Sequence, residues 1–295
     1  MTSLTATRLL QRPKDTALAF VTAALAVGSA LSLLLILFFL LREAAPAISE
    51  IGVFRFLSDS SWDPDSNMAM FNINAMIVGS LFVTFGALLL STPIALFSSF
   101  FICFYANQKL SKIYRSLIEL LAGVPSVIFG LWGLEVLVPF LNDYSAPGQS
   151  LLAGALVLSV MILPTATLLT VSAFEAVPEA LIKNCTALGL NTWATIKGAI
   201  IPKSSAGLIS AIVLSAVRAI GETMVVLMVC GNITQFPQNI FDPVRTLTAN
   251  IALEMSYAYG IHRSALFAST LWLILVVSIL VLSTVIIHRP KRSCQ

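Results

Sequence analysis

Charged side chains are scarce in this chain of 295 residues. They make up 11% of it, and hydrophobic residues make up 58%, whereas about a quarter of an ordinary soluble domain is charged. The apolar residues stand in long uninterrupted blocks rather than in amphipathic periods, so a soluble core of this size cannot hide them all. The composition therefore excludes an ordinary soluble domain and predicts a chain that uses lipid as a second solvent.

Cysteine and histidine are also rare. The four cysteines lie far apart and form no C-x-x-C pair, which argues against a disulfide framework and a zinc site. The two histidines, His262 and His288, lie in polar flanks and are expected at the surface. No G-x-x-x-x-G-K-[ST], H-E-x-x-H or G-x-S-x-G motif occurs, so we expect neither a P-loop for ATP nor an enzyme.

The apolar blocks predict an all-α, polytopic membrane protein with about six transmembrane helices. The first block follows basic residues, as in a signal peptide, but it is longer than the core of about 7–15 residues that such peptides have. We therefore expect it to be an uncleaved helix. The predicted spans are residues 17–41, 73–94, 114–140, 151–173, 206–230 and 265–287.

Proline and glycine interrupt several of these blocks. Pro93 is expected to bend or end the second span, which leaves residues 95–105 as a short re-entrant or interfacial piece. The G-V-P-S run at 123–126 predicts an irregular third span whose freed backbone groups face protein or water. The W-D-P-D run at 62–65 predicts a turn in the loop after the first span.

Basic residues are unevenly distributed between the predicted loops. With the amino terminus in the cytoplasm, twelve lysines and arginines lie inside and four outside, and one, Arg218, lies within a span. The positive-inside rule therefore predicts that both termini are cytoplasmic. We expect two parts: residues 1–72, with the amino-terminal segment, the first helix and an outer loop, and residues 73–288, with the other five spans.

Arg218 and Glu222 are charged residues in an apolar segment. A charge near the bilayer centre costs on the order of 2.5–3.5 kcal/mol on insertion scales, so such residues usually serve a function. On a helix, their i, i+4 spacing would place both on one face. One interpretation is a buried ion pair that locks two helices. The other is a pathway for an oxyanion, in which Glu222 neutralises Arg218 until the oxyanion takes its donors.

The segment 174–205 is polar and lies on the predicted inner side. It predicts two short helices joined at Gly189, the second ended by Pro202. It is either an ordinary cytoplasmic helical hairpin or a docking element that inserts a short helix into a groove on a partner.

The same segment resembles the loop of type I ABC importer permeases, E-A-A-x3-G-x9-I-x-L-P. The A-L-G run at 187–189 and Pro202 match this pattern, and Lys183 stands where glutamate is usual. The resemblance implies the MetI-like permease fold, with residues 73–288 as the permease core and 174–205 as the coupling loop that docks on an ATPase. The residues implied in that coupling are Glu179, Ala180, Lys183, Ala187, Leu188, Gly189 and Pro202.

The R-A-I-G-E-T-M run at 218–224 is similar to that of phosphate permeases of the PstC family, and the resemblance covers about residues 30–285. It implies inorganic phosphate as the substrate, with Arg218, Glu222 and Thr223 on its pathway, in a bacterial cytoplasmic (inner) membrane. It also implies a PstA-like sister permease, a PstB-like ATPase homodimer that holds ATP and Mg²⁺, and a PstS-like phosphate-binding protein outside. No cofactor in this chain and no nucleic acid is expected.

Two other functions stay open. The chain is alternatively a permease for another oxyanion or solute of the same ABC class. It is otherwise an ATP-independent channel or regulatory membrane subunit. An intramembrane enzyme is a more distant alternative, because the sequence has no visible nucleophile–base pair or metal cluster.

Overall fold

The computed structural model describes residues 13–66 and 69–287 and is dominated by long helices, as predicted. The helices are α1 (Pro13–Glu50), α2 (Arg55–Ser58), α3 (Asn74–Phe100), α4 (Gln108–Ala122), α5 (Ser126–Trp132), α6 (Val138–Asn142), α7 (Leu151–Glu175), α8 (Glu179–Ala187), α9 (Thr192–Thr195), α10 (Ile201–Ile220), α11 (Met224–Val229), α12 (Leu247–Glu254) and α13 (Gly260–Ile287). Single π-helical turns follow α3, α5 and α9, at Phe101–Tyr105, Gly133–Leu137 and Ile196–Ile200.

One short hairpin lies between α2 and α3. Strands β1 (Trp62–Asp63) and β2 (Met70–Phe71) pair antiparallel, with Trp62 opposite Phe71. Pro64 and Asp65 form a turn directly after β1, which confirms the turn predicted at this place.

Five helical segments are long and apolar enough to cross a membrane within the described residues. They are Leu18–Glu50, Asn74–Tyr105, Leu151–Glu175, Thr192–Ile220 and Gly260–Thr284. Helix α4 and the segment Ser126–Asn142 provide a sixth crossing if the pair, bent by 85°, is one broken span. The prediction of about six spans is confirmed.

Helix α7 lies at the centre of the bundle. It packs against α3, α4 and α10, and 67% of its most apolar stretch is buried within the chain. Ser150 caps its first turn, since its hydroxyl accepts a hydrogen bond from Ala153 N at 3.2 Å. Gly154 lets α7 approach Cys230, because a Cβ at this position would collide with the Cys230 thiol. This packing fixes the segment that follows α11 against the bundle.

Helix α1 lies at the periphery. No residue of its most apolar stretch is buried within the chain. Only its later turns pack against α13, where Ala44 and Ala47 are fully buried. The helix also continues beyond residue 41, the predicted end of the first span, to Glu50. Most of the surface of α1 is therefore left for lipid or for other chains.

The predicted end of the second span is wrong. The helix does not stop at Pro93 but continues through it to Tyr105, so residues 95–105 are not a re-entrant piece. A continuous helix keeps most backbone groups of an apolar segment hydrogen-bonded, which explains why one proline is tolerated in a membrane span. The irregular third span is confirmed: Pro125 has extended geometry (φ −58°, ψ 137°) between α4 and α5.

The predicted bounds of the fifth span are also wrong. The helical segment begins at Thr192 rather than at residue 206, and it ends at Ile220 rather than at 230. Pro202 therefore does not end the second loop helix. It lies at the start of α10, directly after the π-helical turn Ile196–Ile200, inside a helical segment that is continuous from Thr192 to Ile220. The π-helical turn before it joins the loop to the span.

Candidate functional site

The candidate pathway residues lie at a break in the helix. Helix α10 ends at Ile220, and α11 begins at Met224. Gly221 N donates to Val217 O at 3.1 Å and Glu222 N donates to Ala219 O at 3.2 Å, which closes the last turn of α10. Arg218 is thus in that last turn, whereas Glu222 is outside the helix. The predicted i, i+4 arrangement of the two residues is wrong.

The Glu222 carboxylate caps the next helix instead. Its Oε1 accepts hydrogen bonds from Met224 N at 3.1 Å and from Val225 N at 3.3 Å. A carboxylate at a helix start satisfies free N–H groups and favours the positive end of the helix dipole. Since this carboxylate binds α11, it does not neutralise Arg218. Glu222 and Thr223 are half-buried.

Arg218 projects from the surface of the chain. The residue is exposed, and its guanidinium makes no ion pair and no side-chain hydrogen bond among residues 13–66 and 69–287. Its place in the last turn of α10 is favourable for a cation, because a helix ends with unpaired carbonyl groups. Five donors are therefore free for a group outside this chain.

Glu222 also lines a narrow polar crevice. Its walls come from α3, from the end of α10, from α11 and from the start of α12, and it is too narrow to admit a water molecule. The polar residues that line it are Ser80, Thr84, Glu222, Thr246 and Thr248. A tetrahedral oxyanion does not fit here in this conformation.

A buried polar cluster, which we call the outer cluster after its side in the predicted topology, joins the hairpin to α12 and α13. Its centre is Glu254, whose side chain is 7% exposed. Glu254 Oε2 accepts from Trp62 Nε1 at 2.8 Å and lies 2.9 Å from His262 Nε2, and Oε1 accepts from Arg245 Nη1 at 2.7 Å. The other ring nitrogen, His262 Nδ1, lies 3.1 Å from Asp65 Oδ1.

The outer cluster was missed in the sequence. His262 was expected at the surface, but it is 4% exposed, because Trp62, Glu254 and Tyr257 surround it. His288 lies outside the described residues. The partners of His262 stand up to 197 positions away, so local patterns do not show the contact. The signal in the sequence is α12 itself, a mostly apolar stretch between the fifth and sixth predicted spans.

The acidic centre of the cluster also affects Tyr257, in the connection between α12 and α13. Desolvation raises the pKa of the Tyr257 hydroxyl, and the nearby Glu254 carboxylate raises it further. Arg245 acts in the opposite direction. Arg245 also donates from Nη1 to Asn250 Oδ1 at 2.9 Å and from Nε to Asn232 O at 2.8 Å, so its charge is held by several acceptors.

The inner loop has the predicted form of two helices joined at Gly189. Gly189 has φ +74°, which favours glycine. Its N donates to Thr186 O at 3.0 Å, and Leu190 N donates to Cys185 O at 3.1 Å, the pair of bonds of a Schellman motif. Asn191 then caps α9 by accepting from Ala194 N at 2.8 Å. The loop thus presents α8 with a defined end.

The residues implied in ATPase coupling share one property: all are exposed on the chain. Lys183 Nζ pairs with Glu179 Oε2 at 3.1 Å on the surface of α8. Beside Gly189, Leu188 is 79% exposed and Trp193 is 52% exposed. The seven residues of the predicted set are Glu179, Ala180, Lys183, Ala187, Leu188, Gly189 and Pro202.

Comparison with known proteins places this geometry in a family. Residues 91–290 match the profile of the family described as "Binding-protein-dependent transport system inner membrane component". The chain is 37% identical over 228 residues to the probable ABC transporter permease protein YqgH of Bacillus subtilis, covering 76% of this chain and 72% of that protein. It is 32% identical over 259 residues to the phosphate transport system permease protein PstC of Mesorhizobium japonicum, covering 80% and 78%.

The fold is similar to that of a solved bacterial ABC transporter involved in the import of the acidic polysaccharide alginate. The TM-score is 0.65 at 13% identity, and the match covers 95% of this chain and 99% of that chain. At this identity the similarity concerns the fold alone, and it confirms the predicted permease fold. The chain belongs to the binding-protein-dependent transport system inner membrane components of ABC transporters, and within that family it groups with the PstC permeases.

Proposed function

We propose that this chain is the membrane-spanning permease subunit of an ATP-driven importer of inorganic phosphate. The observation that carries this proposal is Arg218, an exposed arginine in an apolar span that has no partner among the described residues. An unpaired cation in lipid is costly, so water, another subunit or an anion must face it. The relatives named for phosphate transport support phosphate as that anion.

The pathway residues of this proposal are Arg218, Glu222 and Thr223. The planar guanidinium of Arg218 matches the oxygens of phosphate, and it stays charged at any working pH. Glu222 takes a different role from neutralisation: its carboxylate holds the start of α11 and so fixes the break in the span. Thr223 adds a hydroxyl at the same break.

The partners follow from the same proposal. A PstA-like sister permease completes the pathway, and a PstS-like binding protein delivers phosphate from outside. A PstB-like ATPase homodimer docks on residues 174–205, where the exposed Leu188 and Trp193 provide apolar surface for a groove. ATP and Mg²⁺ are bound by that ATPase, and the present chain carries out no chemistry of its own.

In this proposal transport occurs by alternating access, because the crevice at Glu222 does not admit phosphate in this conformation. ATP binding by the partner moves the inner loops, and the connected spans then open a cavity to the outside. Residues 1–72 form the peripheral part and 73–288 the permease core. Both termini lie in the cytoplasm in this proposal. The basic residues near the termini that favour this orientation, such as Arg8 and Arg292, lie outside the described residues.

Reconstitution with the three partners tests this function. The complete complex in proteoliposomes is expected to accumulate labelled phosphate only with ATP and the binding protein present. Excess unlabelled phosphate should abolish the uptake, and excess sulfate or phosphonate should not. Competition by sulfate would instead indicate another oxyanion, and uptake without the ATPase would indicate a channel.

A further inference from the structure

Helix α12 connects the outer cluster to the break at 221–223. At its carboxyl end, Glu254 accepts from Trp62 in β1 and from Arg245 before α12, and it contacts His262 in α13. These partners come from three parts of the chain. A buried carboxylate with this number of partners is held in one place, so the end of α12 is fixed to β1 and α13.

At its amino end, α12 contacts the break itself. Thr248 Oγ1 donates to Glu222 O at 2.7 Å and lies 3.1 Å from Thr246 Oγ1. A hydroxyl has one proton, so Thr248 uses it on Glu222 and accepts from Thr246. Thr246 in turn accepts from Ala249 N at 3.2 Å. The hydroxyls therefore form a directed chain of hydrogen bonds that ends on the Glu222 carbonyl.

The Glu222 carbonyl has few other restraints. The remaining hydrogen bonds of residues 221–223 join them to neighbours within four positions, at Val217, Ala219, Met224, Val225 and Leu227. Thr248 thus supplies the long-range hydrogen bond to this break among the residues that the structure describes. Its side chain is buried, and it stands 26 positions from Glu222.

We propose that Thr248 is a positioning residue for phosphate passage, and that the outer cluster acts through it. By holding the Glu222 carbonyl, Thr248 sets where α10 ends and α11 begins, and so where Arg218 presents its donors. The outer cluster holds the helix that carries Thr248. This inference rests on the proposed function, and it assigns to Thr248 and Glu254 a role in transport beyond stability.

Thr248→Val and Thr248→Ser in the complete reconstituted complex test the hydroxyl. The valine variant removes the donor at nearly constant shape, and we expect the maximal rate of phosphate uptake to fall about three- to tenfold. The concentration of phosphate-loaded binding protein at half-maximal rate should stay unchanged. The complex should still assemble in normal amount, although loss of a buried hydrogen bond lowers its thermal midpoint. The serine variant keeps the donor and should retain most of the rate.

Thr170→Val is the matched control, because Thr170 is also buried but donates only to Ala166 O in its own helix. It should transport at the wild-type rate. A wild-type rate in Thr248→Val, or equal losses in Thr248→Val and Thr170→Val, would overturn the inference.

The link to the outer cluster is tested with Glu254→Gln, alone and combined with Thr248→Val. If both act on one break, the double variant should lose no more rate than the more impaired of the two single variants. Losses that multiply would refute the link. Trp62→Phe, which removes one donor to Glu254, replaces Glu254→Gln if that variant does not assemble.

ATP hydrolysis is measured alongside uptake in every variant. A wild-type complex that hydrolyses ATP on addition of its binding protein but moves no phosphate refutes the proposed substrate. The Thr248 variants are then compared by the rate of ATP hydrolysis that the binding protein stimulates. A lower rate in Thr248→Val alone still supports the positioning role. Equal rates in Thr248→Val and the wild-type complex contradict it.

Discussion

Arg218 is the residue on which the transport proposal depends. It is exposed in the last turn of α10 and has no acidic partner among the described residues. Glu222, the nearest candidate in sequence, directs its carboxylate to Met224 N and Val225 N. A locked intramolecular ion pair of these two residues is thereby ruled out in this conformation. The guanidinium is available to bind an anion that enters between subunits.

Substitution of Arg218 tests this role. Arg218→Gln keeps a polar side chain but removes the charge, and the loss of charge-assisted hydrogen bonds is expected to lower phosphate uptake on the order of 10–100-fold. The amount of chain in the membrane should stay near normal, because Arg218 is exposed. Uptake in proteoliposomes and quantitative immunoblotting measure the two effects.

The matched control is Arg263→Gln. Arg263 is a half-exposed arginine whose Nη2 lies 3.7 Å from Glu43 Oε2, and a surface pair of this kind contributes little. Its uptake should remain close to wild type. Unaltered uptake in Arg218→Gln, or an equal loss in both variants, would contradict the assignment.

At the scale of secondary structure, the inner loop combines a rigid end with exposed apolar side chains. The Schellman bonds at Gly189 fix the direction in which the chain leaves α8. Phe174 and Phe100 stack with ring centroids 5.3 Å apart, and Trp193 contacts Phe100 edge-on at 6.4 Å. These packed aromatic rings join the loop to α3 and α7.

Glycine substitutions in this loop test its geometry. Gly189→Ala places a side chain at φ +74°, which costs about 1–2 kcal/mol. We expect the end of α8 to shift and less ATPase to co-purify with the permease, by up to about tenfold.

Gly198→Ala is the control, because a Cβ at Gly198 has no neighbour within 4 Å and its φ is not positive. That variant should retain the ATPase. Normal co-purification with Gly189→Ala would remove the loop from the proposed interface.

The extent of sequence-based prediction also differs between elements. Apolar blocks predicted about six spans, and Gly189 predicted the joint between two loop helices, because these depend on local pattern. The break after Ile220 was missed, since the carboxylate that caps α11 and the hydroxyl of Thr248 act through specific hydrogen bonds. The burial of His262 depends on Trp62 and Asp65, far away in sequence.

For the whole molecule, the structure is that of a permease subunit with much of its apolar surface uncovered. The most apolar stretch of α1 buries nothing within the chain, and Arg218 faces outward. Both features fit a subunit whose pathway forms only against a second permease. The proposed movement opens the region at Arg218 to the outside when the ATPase closes.

The accessibility of position 218 tests the central claim most directly. Arg218→Cys is introduced into the complete complex in membranes, and its reaction with a charged, water-soluble thiol reagent is measured with and without a non-hydrolysable ATP analogue. The wild-type chain with its own four cysteines gives the background. We predict labelling from the outer side that increases with the analogue, since position 218 then faces an aqueous cavity. Labelling only by a lipid-soluble reagent, in either state, would place Arg218 against lipid and contradict the account.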